Sequence, residues 1–204
     1  MAVYSLKPRF RQQLRIVETL LIRAGVSADQ LTVAGLVFAV AGAVDIVLST
    51  RHPLWLGLLP VLLVLRLACN ALDGMIAGDT RTAKPLGFVH NEVADRAADA
   101  VLMIAVAAAS DAPLLGAATL ALALLASHVS VAAAAAGGTR SHIGVMAKAD
   151  RMLLLAVAAV PAALVPALPW FTGYLGIVAA GSALTLATRW RAMRHELELP
   201  RARR

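Results

Sequence analysis

Eight polar or charged residues stand close together in otherwise apolar sequence: Arg66, Asn70 and Asp73, then Asn91, Glu92, Asp95, Arg96 and Asp99. On helices, Asn70 and Asp73 fall at i, i+3, and Asn91, Asp95 and Asp99 at i, i+4, i+8, so each set projects from one face. Two such faces turned toward each other make an oxygen-only donor set. Carboxylates and amide carbonyls are hard donors suited to Mg²⁺, Mn²⁺ or Ca²⁺, and neither set contains the His or Cys that would favour zinc. The arginines open a second reading, in which the carboxylates pair with Arg66 and Arg96 and simply join helices. Asp45, alone in an earlier apolar run, reads as a helix-pairing or lipid-interface residue. Cys69, the one cysteine, reads as a small buried hydrophobe.

The elements that must position these groups follow from composition. Of 204 residues, 60% are apolar and 15% charged, with a mean hydropathy of +0.76. Soluble domains have about a quarter charged residues, so a soluble core and a disordered chain are both disfavoured. At ~20 apolar residues per crossing, the expected architecture is an all-α integral membrane domain spanning 1–204 with six transmembrane helices. They are expected at 31–50, 53–78, 86–110, 113–136, 150–166 and 169–189, with a basic tail at 190–204. Ahead of them, Phe10, Leu14, Val17, Leu20 and Leu21 form one stripe, which predicts an interfacial amphipathic helix over 8–24. Gly25 ends it, and Ser27 or Asp29 caps the next helix. Alanine-rich sequence such as 131–136 suits close helix packing.

The net charge is +7, and in this setting it signals orientation and attraction to anionic lipid, not nucleic acid. In the six-span layout, 16 of the 19 Lys and Arg residues fall on one side, only Arg51 on the other, and Arg66 and Arg96 within spans. The expectation is therefore a multi-pass protein of the cell's inner (cytoplasmic) membrane, with both termini and the polar cluster on the cytoplasmic side. The N-terminal stretch has no apolar run behind its charges and is not read as a cleavable signal peptide.

The run Asn70-Ala-Leu-Asp73-Gly74-Met-Ile-Ala77-Gly78, followed by Gly87-Phe-Val-His-Asn91-Glu-Val-Ala-Asp95, resembles the signature of the CDP-alcohol phosphotransferases, D-x2-D-G-x2-A-R-x8-G-x3-D-x3-D. The spacing is kept without a gap from 70 to 95. Gly25-Val-Ser-Ala-Asp-Gln-Leu-Thr32 is similar to that family's lead into its first span. Gly144-Val-Met-Ala-Lys148-Ala-Asp-Arg151 is similar to its basic cytoplasmic loop. The resemblance implies a divalent-metal-dependent transferase of phospholipid biosynthesis. Such an enzyme moves a phosphatidyl group from a CDP-linked lipid, with CDP-diacylglycerol the expected donor, to a polar alcohol and releases CMP. It also implies a homodimer.

Carried over residue by residue, the resemblance makes Asp95 the general base and Asn70, Asp73, Asn91, Asp95 and Asp99 the candidate ligands for Mg²⁺ or Mn²⁺, one ion or two. Asp29, Thr32, Asn70, Asp73, Gly74, Ala77 and Gly87 are then candidates for the CDP moiety, with Gly74 and Gly87 open to close approach or to tight helix packing. Arg140, Lys148 and Arg151 are candidates for a phosphate on the acceptor or lipid. His90 and His142 are weaker candidates, since a helical His90 points about 100° away from Asn91. The departures are Asn at the first and third acidic positions and Gly78 in place of arginine, for which Arg81 is a candidate substitute. Formal ligand charge falls from −4 to −2 unless Glu92 or Asp99 contributes. Two rival classes remain: a cation-coupled transporter, for which the sequence offers no internal repeat, and a non-catalytic membrane binding protein.

Overall fold

The computed structural model describes residues 2–80 and 84–198, with side chains from residue 11 onward. Arg81 and residues 199–204 of the basic tail therefore lie outside the described residues. The chain runs α1 (Ala2–Arg23), α2 (Ala28–Ser49), α3 (Leu59–Asp79), α4 (Pro85–Ala109), α5 (Pro113–Ala135), α6 (Lys148–Leu164) and α7 (Trp170–Glu198). A short 3₁₀ helix, Pro53–Gly57, precedes α3. No strand occurs among the described residues.

Local chemistry sets the ends that matter for the cluster. Gly25, at φ +74°, closes α1 as its left-handed C-terminal residue, with Val26 N–H on the Leu21 carbonyl and Gly25 N–H on that of Ile22. Ser27 then caps α2: its Oγ accepts from Gln30 N–H at 3.3 Å while Gln30 Oε1 accepts from Ser27 N–H at 2.9 Å. Asp29, the second residue of α2, is thus left free of capping duty. The expected second span opens as the 3₁₀ turn headed by Pro53 and continues as α3, with Pro60 in its first turn. Pro85 and Pro113 occupy the first turns of α4 and α5, where a missing N–H costs nothing. Asp150 Oδ2 accepts from Ala147 N–H at 2.8 Å, so α6 begins at Lys148, two residues before the expected start.

Packing places α2 against both α3 and α4, α5 against α7, and α6 against α3 and α7. The main core runs through Ile46, Leu59, Leu63, Met103, Val106, Leu155 and Leu175. A second cluster, Leu31, Cys69, Leu72 and Ile76, is covered by Leu14 and Leu21 of α1. Cys69 is a free, buried thiol.

On α2 the outward face is as apolar as the buried one: Val33, Val37, Val40, Val44 and Val47, at intervals of three and four, are all exposed. A helix apolar all round needs an apolar surround. Among the described residues, four stretches are long and apolar enough to cross a membrane: Ala28–Ser49, Pro53–Asp79, Pro113–Ala135 and Trp170–Glu198. Six were expected. α4 misses on account of Glu92, Asp95, Arg96 and Asp99, and α6 because it has 17 residues. Asp45 is buried in α2 with neither carboxylate oxygen hydrogen-bonded.

Two contacts lock α4 in place. A Cβ on Gly116 would sit 2.2 Å from that of Ala107, so α4 and α5 cross where α5 has no side chain. Arg151 of α6 donates to Asp99 Oδ2 of α4 in a pair whose side chains are 4% and 5% exposed. Gly116→Ala is expected to cost about 1–3 kcal/mol by overpacking, while Gly176→Ala, which meets open space, raises stability. Asp99→Asn leaves a buried guanidinium unpaired and is expected to cost ~3–5 kcal/mol. Thermal unfolding in detergent micelles, followed by helical circular dichroism, measures all three.

Candidate functional site

At one end of the bundle, the start of α2, the end of α3, the start of α4 and the start of α6 come together. The cavity between α2, α3 and α4 holds about 10 Å³, the room of one water-sized particle. Its polar lining is Thr32, Arg66, Asn70, Asp73, Asn91 and Asp95. Both faces predicted from spacing therefore meet, as the i, i+3 and i, i+4 intervals required.

Thr32 Oγ1 donates to Asp73 Oδ2 at 3.2 Å, fixing that carboxylate from α2. Asn70 Nδ2 donates to Asn91 Oδ1 at 3.2 Å and to Asp95 Oδ1 at 3.3 Å, tying α3 to α4. Asp95 Oδ1 also accepts from Lys148 Nζ, and Arg66 Nη2 lies 3.9 Å from the same oxygen. Arg66 is 2% exposed, and its other contact is Nη1 on the Met152 sulfur at 3.0 Å. Asp73 is more buried than Asn70, Asn91 and Asp95 yet has no cation within ion-pair distance among the described residues.

Down the same side of α4 runs a ladder of ion pairs. Glu92 meets Arg96 at 2.5 Å and Arg140, Asp95 meets Lys148, and Asp99 meets Arg151. Arg140 also lies over the Phe88 ring, 5.1 Å from its centroid. The side chains of Arg140, Lys148 and Arg151 are 34%, 19% and 4% exposed, so the ladder runs from the rim into the bundle.

The other predicted residues divide. Asp99 does not line the cavity: it lies one turn beyond Asp95, with Arg151 taking its Oδ2, so the structure does not bring it to the candidate metal ligands. Glu92, the other carboxylate considered for that set, is held by Arg96 and Arg140. Asp29 is exposed at the head of α2, 3.8 Å from His90 Nδ1 and 3.6 Å from where a Cβ on Gly87 would lie. Gly74 and Gly78 are exposed with open space where a Cβ would go, and Ala77 is half-buried. The α4 ladder was missed as such. No local periodicity gave a signal for it, because Arg140, Lys148 and Arg151 are 48, 53 and 52 residues from their partners.

Among the described residues, no group of three His, Cys, Asp or Glu side chains is placed to hold a metal. The cavity donors are two carboxylates and two amides, all oxygen ligands, around room for a single particle. That set fits a hard divalent ion whose remaining ligands come from solvent or substrate.

No protein-family model matches this chain. Over 168 residues it is 31% identical to inner membrane protein YnbA of Escherichia coli strain K12, covering 81% of this chain and 83% of that protein. Its fold is similar to that of Mycobacterium tuberculosis phosphatidylinositol phosphate synthase (PgsA1), a member of the CDP-alcohol phosphotransferase family. The structure in complex with manganese and citrate aligns with a TM-score of 0.71, and the one with CDP-DAG bound with 0.66, both at 20% identity. Each alignment covers 87% of this chain, and 87% and 91% of the respective synthase chains. The protein is thus membrane-integral, shares the fold of that synthase, and belongs to the same family as the inner membrane protein YnbA.

Proposed function

We propose that the protein is a CDP-alcohol phosphotransferase, moving a phosphatidyl group from CDP-diacylglycerol to a polar alcohol with release of CMP. The observation that carries this reading is the shared cavity of Thr32, Asn70, Asp73, Asn91 and Asp95, residues of a fixed spacing that meet on three helices. It is supported by the likeness to a fold in which a synthase binds CDP-DAG. On this reading the chain is a single domain of six spans, with α4 and α6 crossing despite their charge because the ladder neutralises it. Both termini and the cavity face the cytoplasm, and the protein acts as a homodimer.

A divalent ion, Mg²⁺ or Mn²⁺, supplies charge neutralisation on the pyrophosphate as the leaving group departs. Asp73, with Asn70 and Asn91, is the candidate to hold it. Thr32 keeps the Asp73 carboxylate in one orientation through its hydroxyl. Asp29 and Gly87, adjacent at the rim, and Gly74 and Ala77, on the following turn of α3, offer the nucleotide its approach. Asp95 accepts the acceptor hydroxyl proton as the alcohol oxygen bonds the phosphorus bearing the lipid alcohol. The bond from that phosphorus to the CMP oxygen breaks in the same displacement. Asn70 and Lys148 hold the Asp95 carboxylate for this step. Arg140, Lys148 and Arg151 are the candidate groups for an acceptor phosphate, each now shared with a carboxylate of α4.

The test is CMP release by purified protein in detergent, with CDP-diacylglycerol, Mg²⁺ or Mn²⁺ and a panel of polar alcohols. One acceptor is expected to give CMP and a new phospholipid. Asp95→Asn and Asp73→Asn should each lower the rate by at least ~10²-fold, and chelation should abolish it. A folded protein releasing no CMP with any acceptor or metal overturns the proposal.

A further inference from the structure

The four signature positions carry a formal −2 here, on Asp73 and Asp95, where the signature itself carries −4. The two remaining carboxylates are not equivalent. Asp95 Oδ1 receives the Lys148 ammonium and the Asn70 amide, with the buried Arg66 guanidinium 3.9 Å away. Asp73 accepts from the Thr32 hydroxyl and has no cation within ion-pair distance among the described residues, Lys148 acting on it only from farther away. Asn70 turns its NH₂ toward Asn91 and Asp95, which leaves its carbonyl oxygen without a hydrogen bond among the described residues. Negative charge is therefore met by closely placed cations of the chain on the Asp95 side and only weakly, by the more distant Lys148, on the Asp73 side.

Charge decides how many ions such a cavity accepts. Arg66 in the lining and Lys148, which lies outside it on Asp95, together offset the charges of Asp73 and Asp95 before any metal enters. Two dications among these residues would face both each other and two fixed cations at low effective dielectric. One dication facing Asp73 and a substrate pyrophosphate does not.

Resting on the transferase reading above, we propose that the site holds one divalent ion per chain, on Asp73 with the Asn70 and Asn91 carbonyls. The Lys148 ammonium on Asp95 stands where a second ion would otherwise be needed. Lys148 is then a positioning residue and a fixed counter-charge, and the two asparagines are matched to it: restoring carboxylates at 70 and 91 would restore the demand for a second ion.

Mn²⁺ is titrated into the intact protein in detergent with CDP-diacylglycerol present, and free Mn²⁺ is read by electron paramagnetic resonance, which counts sites without turnover. Wild type is expected to take up one ion per chain. Lys148→Met, which exposes the Asp95 carboxylate, is expected to take up two, or to bind the first at least ~10-fold more tightly. Lys148→Arg, which keeps the charge, should remain at one. A monodisperse gel-filtration peak and an unchanged helical spectrum confirm that each variant is folded. Two ions on wild type overturn the inference, as does a Lys148→Met protein unchanged in both number and affinity. If wild type takes two ions and still releases CMP, only this inference falls. If it releases no CMP with any acceptor, the reading beneath it falls as well.

Discussion

Burying carboxylates in a membrane bundle is the constraint on which the rest of the structure depends. An isolated ion there costs several kcal/mol, and although Asp45 is left without a hydrogen bond, every acidic residue of α4 is given a cation. α4 carries Glu92, Asp95 and Asp99 at successive turns, and the chain answers with Arg96 and Arg140, Lys148, and Arg151. The answer dictates topology. α6 must start where Lys148 and Arg151 reach α4, and the stretch before it must bring Arg140 to the rim. The buried Arg189 helps hold that stretch by donating to the carbonyls of Ile143 and Ala126.

The helix ends serve the same purpose. Gly25 and the Ser27–Gln30 capping box turn the chain from α1 into α2 so that Thr32 faces Asp73 across the cavity. Arg15 of α1 reaches Asp79 at the end of α3 at 2.6 Å, and Leu14 and Leu21 close over Leu72 and Ile76. α1 is thus seated on the helix that supplies Asn70 and Asp73. The exposed valines of α2 and the close crossing of α4 and α5 at Gly116 leave the remaining helix surface to lipid.

Much of this could be read in the sequence. The polar faces of 70–73 and 91–95 were visible because both lie within single helices, where spacing alone fixes direction. Seven helical segments followed from hydropathy, capping residues and prolines. Pairing with Arg66 and Arg96 was also open to sequence, and Arg96 meets Glu92 while Arg66 lies near Asp95, but the partners on distant segments were not visible. Arg140 is 48 residues from Glu92, Lys148 is 53 from Asp95 and Arg151 is 52 from Asp99, and no local periodicity encodes such pairings. For the same reason Asp99, one turn on from Asp95 in the sequence pattern, was grouped with the ligands, whereas packing against α6 commits it to Arg151. Boundaries shifted where hydropathy and helicity part company. The helical backbone of α7 continues to Glu198, past Arg189 and Arg191, because a helix leaving the bilayer loses its apolar character before its hydrogen bonds.

The ladder also ranks the three cations as phosphate receptors. None is free: each already neutralises a carboxylate, so an anionic group on an acceptor must displace one. Releasing Arg151 would strand Asp99 in the core, at the cost of an unpaired buried charge. Releasing Lys148 would disturb the carboxylate assigned to take the proton. Arg140 is different, because Glu92 retains Arg96 when Arg140 leaves, and its guanidinium stands at the rim over Phe88. Exchange is therefore cheapest at the rim and grows costlier toward the core. On the transferase reading, an acceptor approaching from the cytoplasm meets Arg140 first, and its hydroxyl is directed inward toward Asp95 by charges that do not move.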